Sequence, residues 1–434
     1  MPKNIKNALL DGYIPVLAFI CFLLLSDFQL ATDGSNIFRQ VLEEKSFYTV
    51  GSSYRVHAFY LIEWLMVAGV NFNLFDMAAL NFLYGLAIFL PLLLAVYLTY
   101  TFIYDKAQRT SFLWLLSLFI IGVDFPAMYV LGTEPIILVP LVYICGLLIL
   151  KMNPQSMWQK CLLPVFIFLL ARTYETNIIP LFLFALMIAR LPVFRNDHQR
   201  LNYYAYFCIL LCVYGIGISM LSILHPRDAF NRDSFLMLLP LLGLNPCFQV
   251  FILAITSYLG VQAYPSYKYA IYAGYLLLSY GIANQNLPYP NSLISFTSRT
   301  STLFIPLLFI ALAYYCHKGT LVIRPKLATA LLVPLMCVAY QFATPWVDFK
   351  SRVIEVLNAQ TGYIAESEHH LGSDPASWWW AFPLLSVIWH PQPVNAILLN
   401  RAGALDMPYD PYNHPAFPAQ ARYGSALRPT ASSR

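Results

Sequence analysis

The residues best able to do chemistry in this 434-residue chain are carboxylates and guanidiniums set at the edges of long apolar runs. Asp27 stands where the first run ends, and Asp33 opens Asp33-Gly-Ser-Asn36 ahead of IFRQVLEEK. A carboxylate at such a point can take a proton from a hydroxyl as a general base. Asp33 equally suits the N-cap of the helix that follows, and Asp27 an anchor at a membrane interface. Asp124 and Glu134 flank the turn in GVDFPAMYVLGTEP, and their oxygens suit a hard divalent cation such as Mg²⁺ or Mn²⁺. Glu134, just before Pro135, also fits a first helical turn, where the macrodipole stabilises negative charge. Arg299 in SFTSRTSTLF, with Arg227 and Arg232 in HPRDAFNRDS, offers guanidiniums that match a phosphate bidentately or rest among headgroups. Arg172 and Glu175 are spaced to pair on one helix, while an unpaired Arg172 would meet a phosphate at membrane depth.

The elements that position these groups are apolar. Hydrophobic residues make up 59% of the chain and charged residues 11%, with a mean hydropathy of +0.61, which excludes an ordinary soluble domain. The net charge of +5 comes without a basic run of the kind that tracks nucleic-acid phosphates. All eight cysteines lie in apolar stretches, so no disulfide is expected. No His–Cys ligand spacing, Walker, Rossmann, kinase or HExxH pattern is present. A spanning helix needs about 20 mostly apolar residues. Candidates are 8–28, 77–100, 112–130, 134–150, 203–224, 235–258, 268–284, 303–316 and 327–344.

Two regions are ambiguous. The stretch 56–70 carries His57 and Glu63 and reads as lying on the membrane. The stretch 161–190 is broken by Arg172-Thr-Tyr-Glu175 and forms either one long helix or a hairpin of two short arms. Charge favours the hairpin. With the N-terminus inside, the basic loops around Lys106, Lys151, Arg195, Lys318 and Arg324 then face the cytoplasm, as the positive-inside rule requires. Of the 21 acidic residues, only Asp11, Asp105 and Asp197 fall at the inner face under this topology. The expected fold is an all-α polytopic membrane protein of about 11 membrane helices, short or re-entrant ones included. Two juxtamembrane helices, 34–46 and 56–70, lie in the first outer loop. The chain divides into 1–224, a variable transmembrane part 225–344, and an extracytoplasmic tail 345–434 whose prolines argue against a regular domain.

This layout resembles the GT-C class of integral membrane glycosyltransferases, on the acid at Asp27 or Asp33, the two juxtamembrane helices and the crossings to about residue 224. The resemblance implies an enzyme of the cytoplasmic membrane that uses a polyprenyl-phosphate-linked sugar donor and a glycan, lipid or protein acceptor. Asp33, or Asp27 in its place, would be the base. Glu134 and Asp124 would hold Mg²⁺ or Mn²⁺ against the leaving phosphate. Arg299, Arg172, Glu175 and Arg232 would bind substrate. Rival readings are a polymerase or ligase of lipid-linked glycans, and a transporter or flippase, against which the scarcity of mid-span charges counts.

Overall fold

The computed structural model describes residues 13–30, 33–48, 55–72, 76–121, 134–196, 200–225, 246–284, 310–311, 313–315, 317–319, 325–364, 371, 382–389 and 396–398. The described chain is mostly helical. α1 (Tyr13–Leu25) leads through a 3-10 turn (Phe28–Leu30) to α2 (Asp33–Glu44), α3 (Val56–Asn71), α4 (Met77–Phe102) and α5 (Lys106–Phe119). Then come α6 (Glu134–Leu150), α7 (Met157–Ala171), α8 (Ile178–Arg190), α9 (Tyr203–Leu224), α10 (Pro246–Ala263) and α11 (Lys268–Ala283). α12 (Pro325–Ala359) is followed by β1 (Gly362–Ile364), α13 (Phe382–Trp389) and β2 (Ala396–Leu398). The contacts divide the chain into two units, one of Met1–Phe22, Thr49–Leu61 and Phe89–Gln341, the other of Leu23–Tyr48, Ile62–Ile88 and Phe342–Arg434.

In the larger unit, α6 is buried along its whole length from Ile136 to Leu150, as a helix apolar on every side must be. α9 does the reverse of a soluble helix. Ala205, Cys208, Cys212, Gly215, Ser219 and Ser222 face inward at three- and four-residue spacing, while Phe207, Leu210, Val213, Leu221 and Leu224 face out. Small residues inside and large apolar ones outside are the pattern of a helix packed against neighbours within lipid. α4 and α9 are the two described helices long and apolar enough to cross a membrane.

The ambiguity at 161–190 resolves as a reversal of the chain. Along α7, Cys161 interacts with Tyr204 and Phe168 stacks on Tyr214, so α7 runs parallel to α9. Along α8, Leu181 meets Gly215 and Phe194 beyond it stacks on Tyr204, so α8 runs the other way. Both arms close on Gly215. A Cβ there would sit 2.6 Å from Leu181 Cδ1 and 2.9 Å from the Ala171 Cα, so only glycine allows this approach.

The smaller unit departs from the expected layout in its tail. The boundary expected at 344/345 falls inside α12, which runs on to Ala359. Trp346, Phe349, Val353 and Leu357 keep burying one face after the hydropathy drops, a periodicity that a search for wholly apolar runs passes over. Regular structure also continues into the proline-rich region. β1 and β2 pair in parallel, Gly362 opposite Ala396 and Ile364 opposite Leu398, and the Leu398 amide donates to Ser386 Oγ of the intervening α13 at 3.0 Å.

The close approach at Gly215 yields a paired test. Gly215→Val should destabilise the purified protein by about 1–3 kcal/mol through overpacking. Gly217→Val, where an added Cβ meets nothing within 4 Å, should leave thermal unfolding in detergent unchanged.

Candidate active site at the Asp27 turn

α1 ends where the backbone at Asp27 adopts φ 54°, a left-handed conformation that costs a side chain-bearing residue free energy and needs support. The support is local and polar. The Asp27 amide donates to the Leu24 carbonyl at 3.2 Å, and its own carbonyl accepts from the Leu30 amide at 2.9 Å. Its carboxylate is engaged at both oxygens. Oδ1 accepts from Asn81 Nδ2 of α4 at 2.7 Å, while Oδ2 accepts from Lys350 Nζ of α12 at 2.5 Å and Trp389 Nε1 of α13 at 3.1 Å. The Lys350 ammonium lies 5.9 Å from the Trp389 ring centroid, and Trp346 donates to the Ser26 carbonyl at 2.9 Å. Trp346, Phe349, Phe382 and Trp389 pack edge-on and tilted around the pair. Asp27 and Lys350 are 17% and 21% exposed, so the pair is shielded yet not sealed from water.

The polar chain continues inward with a fixed sense. A carboxylate only accepts, so Asn81 must turn its amide nitrogen to Asp27 and its oxygen to Gln29, whose Nε2 donates to it at 2.9 Å. Gln29 Oε1 is thereby left as a buried acceptor with no donor among the described residues. α2 begins beside it. A Cβ on Gly34 would lie 1.9 Å from the Gln29 carbonyl oxygen, so the residue after Asp33 has to be glycine. The backbone of Asp33 is thus pinned at the start of α2, whose Ile37, Phe38, Val41 and Leu42 form the buried face expected from their spacing.

α3 closes over this unit. Asn71 Nδ2 donates to the Lys45 carbonyl at 3.1 Å, and the fully buried Glu63 accepts the Tyr48 amide at 2.6 Å through Oε2. Glu63 Oε1 has no hydrogen-bond partner among the described residues. Desolvation pushes this carboxyl up to about 9, with Glu44 adding and the Tyr48 amide opposing, so Glu63 is a neutral acid at pH 7.

The other candidates fall elsewhere. Asp124, Arg227, Arg232 and Arg299 lie outside the described residues, as do the side chains of Asp33, Glu134 and Glu175. Glu134 does open α6, in keeping with its first-turn reading. In the larger unit Arg172 caps the C-terminus of α7 and Glu175 starts a separate 3-10 turn, so the two do not share one helix. Arg172 makes no ion pair among the described residues. It lies near His57, whose Nδ1 donates to the Leu169 carbonyl at 3.2 Å and whose pKa is lowered by burial and, less, by that guanidinium. No group of three His, Cys, Asp or Glu side chains suited to a metal occurs among the described residues. Sequence reasoning missed Asn81, Lys350 and Trp389. Each comes from a different helix, and Lys350 stands among Asp348, Arg352 and Glu355 in the sequence, so its charge alone gave no distinguishing signal. No family model, curated protein or solved structure matches this chain.

Two outcomes follow from this geometry. Asp27→Ala leaves Lys350 without its partner and should cost about 1–3 kcal/mol in thermal unfolding, discounted for partial exposure. Asp27→Ala combined with Lys350→Met should cost clearly less than the sum of the single changes. For Glu63, the native carboxyl holds its proton to about pH 9 whereas an unfolded one releases it near 4.5. Wild-type stability should therefore fall as pH rises from about 5 to about 9. Glu63→Gln should remove that slope and be the more stable protein at pH 8.

Proposed function

We propose that this chain is a multi-pass protein of the cytoplasmic membrane and a glycosyltransferase acting at the extracytoplasmic face. Its donor is a sugar on a polyprenyl-phosphate carrier, and Asp33 is the general base. The N-terminus lies in the cytoplasm and the tail outside. One observation carries the reading. An apolar first helix ends in a rigid turn that delivers an acid to the start of an amphipathic helix, and a second helix of membrane-hugging composition follows. The outward apolar face of α9 supports the lipid setting.

In the reaction, the Asp33 carboxylate takes the proton of an acceptor hydroxyl as that oxygen attacks the anomeric carbon. A new carbon–oxygen bond forms, the bond from that carbon to the carrier phosphate breaks, and the phosphate leaves with the electron pair. Asp27 is the less suited base because Lys350, Asn81 and Trp389 already occupy its lone pairs. Its part is to position the segment that carries Asp33. A carboxylate base on a pinned backbone needs such a supporting set.

The purified protein in lipid nanodiscs, given a radiolabelled polyprenyl-phosphate sugar and a hydroxyl acceptor, should transfer label. Asp33→Asn should reduce the rate by about 100-fold or more while leaving thermal unfolding unchanged. Equal rates in the two proteins would eliminate Asp33 as the base.

A further inference from the structure

Three chain segments of the larger unit come together in a basic cluster remote in sequence from the Asp27 turn. They are the start of α5, the residue after α6, and residues 317–319. Gln108 joins them. Its Oε1 accepts from Lys151 Nζ, and its Nε2 donates to the His317 carbonyl at 3.2 Å. Asp105, the acid at this cluster among the described residues, already caps α5 by accepting the Gln108 amide at 2.7 Å. Around this core stand Lys106, Arg109, Lys151, His317 and Lys318, with Arg109 stacked on Tyr100 at 4.7 Å and Lys318 5.7 Å from the Tyr314 ring. Like charges therefore gather here, with Asp105 beside them among the described residues. Burial lowers the Lys151 pKa, and burial with the charges of Lys151 and Lys318 lowers that of His317.

Among the described residues Lys151 and Lys318 form no ion pair, although the Asp105 charge acts on Lys151. Lys151 gives one of its three N–H donors to Gln108 and has two to spare. His317 Nδ1 is buried with no hydrogen-bond partner among the described residues. The same glutamine holds the Lys151 ammonium and the backbone of His317, so the ammonium and the segment carrying the imidazole are placed in advance of any ligand. The surroundings indicate where that ligand comes from. Tyr104, Tyr314 and Tyr315 are exposed beside the cluster, and exposed tyrosines at the ends of apolar helices mark headgroup depth. Basic pockets between helices on the cytoplasmic side suit anionic headgroups.

We propose that Lys151, His317 and Lys318, organised by Gln108 and flanked by Lys106 and Arg109, bind the phosphodiester headgroup of an anionic membrane lipid at the cytoplasmic face. The proposal rests on the membrane reading and is independent of sugar transfer, because lipid retention is read without any activity. The test is native mass spectrometry of the full-length protein taken from nanodiscs of phosphatidylglycerol mixed with phosphatidylcholine. Wild type should retain phosphatidylglycerol in preference to phosphatidylcholine. Lys151→Met and His317→Ala should each reduce that retention about fivefold. Lys268→Met, a basic residue on α11 paired with the Tyr269 ring, should not change it. Using two separate variants keeps the test decisive if one fails to fold. Equal retention by wild type and the folded variants would overturn the site, as would an equal loss in Lys268→Met. Complete displacement of the lipid by millimolar glycerol phosphate would reassign the site to a soluble phosphate.

Discussion

The ion pair between Asp27 and Lys350 stands where four elements of the smaller unit meet. It joins the end of the first helix to a helix more than 300 residues later, and Asn81 and Trp389 bring two further elements to the same carboxylate. A charge pair of this kind repays its desolvation only when the remaining lone pairs are satisfied. Here Asn81 and Trp389 provide that, and the aromatic walls keep the local dielectric low, which strengthens each bond. The left-handed backbone at Asp27 is tolerated because these partners over-determine it.

That single residue also sets the polarity of a hydrogen-bond chain. From the carboxylate outward, each amide has one permitted orientation, and the chain ends at Gln29 beside the Gly34 contact that fixes the start of α2. Asp33 inherits its position from this sequence of constraints. In the proposed reaction, two acids six residues apart divide the work. One is locked into the scaffold and the other stands on the segment so placed.

Much of the helical layout was legible because it depends on local pattern. The α2 face could be read from Ile37, Phe38, Val41 and Leu42, and the reversal at 172–177 from the basic loops that only a hairpin keeps on one side. The length of α12 was not legible, since its second half is amphipathic and Thr344-Pro345 imitates a stop. The strand pair was hidden for another reason: three-residue strands 34 positions apart in a proline-rich tail have no signal above background. Likewise, nothing in the sequence couples Asp27 to Lys350 across so long a separation. The neutral state of Glu63 depends on burial, which the composition of α3 alone does not disclose.

The inverted face of α9 has a consequence for how this chain tolerates change. Toward the protein, the backbone-hugging positions Ala205, Cys208, Cys212, Gly215, Ser219 and Ser222 leave no room for growth, so the strictest limits fall on the least conspicuous residues. On the outward side, in the proposed membrane setting, Phe207, Leu210, Val213, Leu221 and Leu224 meet a fluid that adapts to any apolar shape, and they are free to exchange among themselves. Bulk, which anchors a water-soluble protein from within, is here the part of the helix that can drift.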